Sequence, residues 1–161
     1  MMAWLSELWS GGDAAVEPAS LRDAPALARI HGASFHRGWG ESEFESMLAE
    51  RNTLAHRLRM GRKIVGFSVS RIAADEAEIL SIALAQSHRG RGLSHNLLLT
   101  HLGHLAGRGV RTVFLEVEEN NPPARRLYER AGFAVVGRRE RYYRQDGGEP
   151  LNALLMRRDL S

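Results

Sequence analysis

The chain of 161 residues contains no cysteine. Disulfides and thiolate-bound metals are therefore excluded. Long apolar runs are missing too, so no segment reads as a membrane span. Met1 to Ser10 is apolar, with Trp4 and Trp9, but lacks a basic flank, which argues against a secretory signal and for a cytoplasmic protein. Lysine is nearly absent: of the 22 basic residues, only Lys63 is not arginine. Aromatics make up 7% of the chain and do not interleave with the arginines, so no direct nucleic-acid partner is expected. Internal repeats and low-complexity tracts are also lacking.

What remains is an ordinary globular mixture, 43% hydrophobic and 25% charged, with a net charge of +3. The positive excess lies in residues 122–161, where nine Arg face five acids. These charges alternate in sign and read as a solvated face. The length suits one domain with a sizeable core. Residues 15–161 are expected to form it, and residues 1–14, closed by Gly11-Gly12, an N-terminal arm.

One stretch organises the chain: Gln86-Ser87-His88-Arg89-Gly90-Arg91-Gly92-Leu93-Ser94-His95-Asn96. The apolar run Ile79–Leu84 before it has strand length, and Leu97 to Ala106 after it reads as a helix. A strand thus enters a glycine-rich basic turn that opens a helix. The first turn of a helix offers unpaired N–H groups and the positive end of its dipole. Gly90 and Gly92 let a ligand approach the backbone, and Arg89 and Arg91 add positive charge. The combination predicts a pyrophosphate cradle. No Lys precedes Ser94, so it is not a nucleoside-triphosphatase loop. Asn96 follows His95 where a third glycine would be sought, so the dinucleotide fingerprint fails as well.

Around this stretch, Val16–Ala19 suits a first strand. Ser20 and Asp23 cap a helix whose apolar face is Ala24, Leu27, Ala28 and Ile30. Phe35 to Gly40 is a loop with two aromatics that either line a cleft or plug the core. Glu41–Glu50 suits a second helix, and Thr53–Met60 with Lys63–Ile72 a hairpin. Ala77–Leu84 and Val113–Val117 read as further strands. Asn121 caps a helix with Pro122 in its first turn. Val135–Tyr143 and Leu151–Met156 complete the strands, joined by a turn at Gln145–Gly148.

Glu116 alternates to the face opposite Leu115 and Val117. It is a desolvated general base if that face is a cleft, and a solvated strand residue if it is open. Tyr128 shares a helix face with Ala124, Leu127 and Ala131, as a core aromatic or a proton donor. His101 and His104 stand at i, i+3 with no third ligand in view, so a helix-surface position is expected and no metal. His88 and His95 are expected to be exposed or to lie beside a ligand.

Arg89-Gly90-Arg91-Gly92-Leu93-Ser94 fills the Q/R-x-x-G-x-G/A frame of the GNAT superfamily of N-acetyltransferases, with Ser94 in the last small position. The order of parts also resembles that superfamily. The run from Leu115 to Phe133, and Arg141-Tyr142-Tyr143, are most similar to the bacterial ribosomal-protein-alanine N-acetyltransferase family. The resemblance implies an α/β fold: a mixed, mostly antiparallel sheet with splayed central strands and helices on both faces. It implies acetyl-CoA as acetyl donor, with no metal. It makes Glu116 the general base and Tyr128 the general acid. Ile82, Ala83 and Leu84 would offer strand backbone to the acetyl and pantetheine groups. Arg89, Gly90, Arg91, Gly92, Leu93, Ser94 and His95 would hold the pyrophosphate, and Asn121 would touch the cofactor arm. The acceptor implied is a protein N-terminus, in the resembled family that of a ribosomal protein, in a slot lined by Trp39, Tyr142 and Tyr143. A small-molecule amine or a lysine side chain is the alternative, and a non-catalytic acyl-CoA-binding module a third. The oligomeric state is left open.

Overall fold

The computed structural model describes residues 14–35, 38–142 and 151–160, with Arg141 and Tyr142 described by backbone alone. Residues 1–13 of the expected N-terminal arm, Tyr143 and the turn at 144–150 lie outside the described residues, and the arm's last expected residue, Ala14, is the first of the sheet.

Seven strands form one sheet in the order β1-β2-β3-β4-β5-β7-β6. They are β1 (Ala14–Pro18), β2 (Thr53–Met60), β3 (Lys63–Ala73), β4 (Glu76–Leu84), β5 (Thr112–Glu118), β6 (Ala134–Tyr142) and β7 (Leu151–Asp159). The helices are α1 (Ala24–Ser34), α2 (Glu41–Ala49), α3 (Leu93–Gly107) and α4 (Pro122–Arg130). Every strand pair is antiparallel except β4 with β5. The mixed, mostly antiparallel α/β architecture expected from the resemblance is what the chain adopts.

Local chemistry explains the element ends. Ser20 donates its N–H to Asp23 Oδ2 at 2.8 Å, and a single 3₁₀ turn, Leu21–Asp23, precedes α1. Asn121 Oδ1 accepts the N–H of Ala124, and Pro122 occupies the first turn, so α4 starts where the sequence places it.

Helices cover both faces. On one face α1 and α2 bring Leu27, Ile30 and Phe44 against Phe67 and Val69 of β3. On the other, α3 and α4 bring Leu98, Leu102 and Tyr128 against Ile79, Leu115 and Val117. The alternation of β5 thus buries Leu115 and Val117 on the α3/α4 face and turns Glu116 to the opposite one.

A bulge interrupts β4. Ser70 faces Ile79 and Val69 faces Ser81, which leaves Leu80 as the extra residue. Side-chain parity flips there. Ile79 packs against α3 and α4, Leu80 against α1 and α2, and Ile82 again on the α3 side. Pairing of β4 with β5 ends at Ile79↔Leu115, one residue before the bulge. Beyond that point β4 runs on to Leu84 and β5 to Glu118 without meeting. The central strands are therefore splayed.

The helix-surface position expected for His101 is not what the structure holds; only His104 is exposed. His101 is fully buried. Its Nδ1 lies 2.8 Å from His56 Nδ1 and 2.9 Å from Ser68 Oγ, and its Nε2 lies 2.6 Å from Ser70 Oγ. One Nδ1 of the histidine pair carries the hydrogen and the other accepts it. These polar positions on β2 and β3 make room for a histidine where α3 crosses the sheet, which residue spacing along α3 alone does not reveal. Among the described residues no cluster of three or more His, Asp or Glu is arranged to hold a metal ion.

Candidate active site

The gap between β4 and β5 opens into a cleft of about 950 Å³. Ile82, Ala83, Leu84, Arg89, Gly90 and Ser94 line it from the β4 side, and Glu116, Asn121 and Tyr128 from the β5 side. Trp39 lines it from the loop after α1. Residues far apart in the chain, singled out one by one from the sequence, therefore converge.

Backbone geometry supplies the polar groups of the β4 wall. Ala85 donates its N–H to Val65 O at 2.7 Å. Antiparallel alternation then turns the N–H and C=O of Leu84 and Ile82 away from β3 and into the gap. The Leu84 carbonyl bears this out, accepting from Arg89 Nε at 3.2 Å. Next, Gly90 and Gly92 take φ of 78° and 77°, the left-handed region, which allows the sharp entry into α3. A Cβ at either glycine would meet nothing within 4 Å, so the space beside this turn is open. Asn96 is the first residue of α3 whose N–H reaches back, to Gly92 O. The N–H groups of Leu93, Ser94 and His95 precede it, at the positive end of the helix dipole. These features suit an anion.

The side chains of the turn are held in different ways. Arg89 lines the cleft and also ties the turn down: besides Leu84 O, it donates from Nη2 to Ser34 Oγ at 2.9 Å. It thereby fastens the turn to β4 and to the end of α1. Arg91 is exposed and does not line the cleft. The Leu93 side chain packs into the core with Val65 and Leu97, which leaves its backbone alone for a ligand. His88 and His95 are half-buried, and His95 Nδ1 is enclosed without a hydrogen-bond partner.

Glu116 and Tyr128 enter the cleft from opposite faces of the sheet. The desolvation considered for Glu116 is not found: its side chain is 42% exposed, and Arg139 Nη2 donates to Oε2 at 3.1 Å. Tyr128, by contrast, sits in the α3/α4 core, its ring edge-on to Phe133 at 6.0 Å. Burial pushes its hydroxyl up to about 12, so it stays protonated at neutral pH. A carboxylate that can accept a proton and a phenol that can give one thus share one cleft.

The two readings of the Phe35–Gly40 loop are both realised by Trp39, which packs on the α1/α2 cluster and also lines the cleft. Phe35 lines it too, yet is 43% exposed. For Tyr142 the backbone alone is described, paired with Leu151, and Tyr143 lies outside the described residues. Sequence reasoning missed Arg139, whose partner is 23 positions away. It also missed Ser81, which lines the cleft with its Oγ buried and unpartnered. Ser81 reaches this face only because of the bulge. His31 was missed as well, although its place four residues after Leu27 on the apolar stripe of α1 was a signal for the burial found there.

A model of the acetyltransferase (GNAT) family matches residues 24–133. The chain is 33% identical over 134 residues to the ribosomal protein bS18-alanine N-acetyltransferase of Escherichia coli (strain K12), covering 83% of this chain and 89% of that one. It is 36% identical over 129 residues to the mycothiol acetyltransferase of Mycobacteroides abscessus, covering 71% of this chain and 43% of that one. Among solved structures, the ribosomal-protein-S18-alanine N-acetyltransferase from Escherichia coli superposes with a TM-score of 0.84 at 30% identity, covering 92% of this chain and 94% of that one.

Proposed function

The chain belongs to the acetyltransferase (GNAT) family and is an acetyltransferase; on that premise we propose that it moves the acetyl group of acetyl-CoA directly to the α-amino group of a protein N-terminus, in a ternary complex. The observation that carries this reading is the cleft itself. An open glycine turn at a helix start, a splayed strand edge, Glu116 and Tyr128 all face one space.

Acetyl-CoA supplies a thioester-activated acetyl group. The N–H groups of Leu93, Ser94 and His95 and the open backbone at Gly90 and Gly92 hold its pyrophosphate. Leu84 and Ile82 offer backbone N–H and C=O to the pantetheine arm and polarise the acetyl carbonyl. Asn121, at the rim, touches the same arm. On the acceptor side, Glu116 takes the amine proton, directly or through a water, as the nitrogen bonds the acetyl carbon. The carbon–sulfur bond breaks, and Tyr128 gives its hydroxyl proton to the departing sulfur. An α-amine loses its proton near about 7.7–8.0, against about 10.4 for lysine, so it needs less help to become the neutral nucleophile. The identity to the bS18-alanine enzyme supports the same acceptor class. Trp39, which lines the cleft, would meet the first residues of the peptide. The cytoplasmic setting expected from the sequence belongs to this reading.

The test compares two peptides of one sequence, one with a free Ala N-terminus and one N-blocked with an internal lysine. The free α-amine is expected to have the higher kcat/KM, rising with pH near its own pKa. A better rate on the blocked lysine peptide overturns the N-terminal reading. The identity to mycothiol acetyltransferase favours one second reading, a small-molecule amine as acceptor. Turnover of such an amine with none of either peptide selects it.

A further inference from the structure

The loop after α1 is clamped onto that helix by a side chain outside the cleft. His31 is 4% exposed and does not line the cleft. Its Nδ1 accepts the backbone N–H of Trp39 at 3.0 Å. Its ring also stacks on the Trp39 ring, with centroids 4.4 Å apart and planes at 14°, and on the Phe35 ring at 4.3 Å and 29°. One imidazole is thus sandwiched between the two aromatics that line the acceptor side of the cleft. The backbone contact beside it is equally close: a Cβ added at Gly38 would lie 2.8 Å from the Gly32 Cα. The glycines let the chain fold back over α1, and His31 supplies the hydrogen bond that stops it there. Phe44 and Phe67 close the far side of the imidazole, so it has little room to turn.

We propose that His31 is the positioning residue of the acceptor site, holding Trp39 and Phe35 in register against the cleft through the Trp39 N–H and the stacked rings. The proposal rests on the reading of the cleft as an acetyl-transfer site. The geometry assigns His31 a part in binding the acceptor and none in binding acetyl-CoA or in proton transfer.

Three variants test it. His31→Phe keeps a ring for stacking and removes the acceptor, which leaves the Trp39 N–H unpaired. His31→Asn loses the ring but places Oδ1 where Nδ1 stood. Val69→Ala loosens the same apolar cluster from β3 and leaves the Trp39 N–H bond to His31 in place. His31→Phe is expected to raise KM for the free-Ala peptide about tenfold, the cost of an unmet hydrogen bond, with kcat and acetyl-CoA affinity within about twofold. His31→Asn is expected to recover part of that loss. Amide exchange at Trp39, read by NMR, is expected to speed up about tenfold in His31→Phe and not in Val69→Ala. Unchanged KM and unchanged exchange in His31→Phe overturn the proposal, as does an equal rise of KM in Val69→Ala. If the wild-type protein acetylates neither peptide, the functional reading fails, while the exchange result still decides whether His31 holds the loop.

Discussion

Acidification tests the buried histidines directly. His31 and His56 are each pushed down to about 4, burial being the largest cause in both. Glu43 opposes the shift at His31, and His104 reinforces it at His56. His101 is driven well below the ordinary range by burial, then by His56 and His104. A proton added to whichever Nδ1 accepts in the His56–His101 pair would set two N–H groups head to head at 2.8 Å. An unfolded histidine titrates near about 6.5. The unfolded chain therefore binds protons that the folded chain refuses. The resulting stability is complete above about pH 6.5 and is lost as the pH falls toward about 4. Between about pH 7 and pH 5, His31 and His56 should each remove about 2 kcal/mol, some 4 kcal/mol together, and His101 adds to this. Against a domain stability of about 5–15 kcal/mol, that loss is between about a quarter and about four fifths of the total. Glu17 does not confuse the window. Its carboxyl is held down to about 2, chiefly by the hydrogen bond from Arg59, so its contribution is lost only at lower pH. Urea unfolding followed by ellipticity at both pH values measures the difference. An unfolding free energy that agrees within about 1 kcal/mol at the two values would refute the reasoning, because the imidazoles would then have to be as accessible to protons folded as unfolded.

Other perturbations reach the cleft itself. Tyr128→Phe should leave the melting temperature and acetyl-CoA affinity unchanged, since the ring still fills its place in the core, and should lower kcat by about 10²-fold if proton donation limits the rate. A wild-type kcat would make Tyr128 a packing residue only. Gly92→Glu forces a side chain onto a backbone with φ of 77° and sets a negative charge at the start of α3. Calorimetry should find acetyl-CoA binding lost in that variant, and unchanged affinity would remove the cradle.

The chain's local chemistry determined a good part of this protein. The strand Thr53–Met60, the start of α4 at Asn121-Pro122 and the strand–turn–helix at Gly90–Gly92 were all legible in sequence, because each depends on neighbours within a few positions. The same holds for Glu116, whose face follows from simple alternation with Leu115 and Val117. Tertiary structure decided the rest. Leu80 is an ordinary apolar residue until pairing with β3 makes it a bulge, and that flip sends Ser81 to the cleft and Ile82 back toward α3. Nothing near Arg89 says that its guanidinium will be spent on Ser34, 55 positions away. His101 becomes a core residue only because β2 and β3 present His56, Ser68 and Ser70 beneath α3. Most of all, Glu116 and Tyr128 come from opposite faces of the sheet. They meet because β4 and β5 part at Ile79↔Leu115, a separation that depends on strand pairing across the whole sheet and on no single stretch of residues.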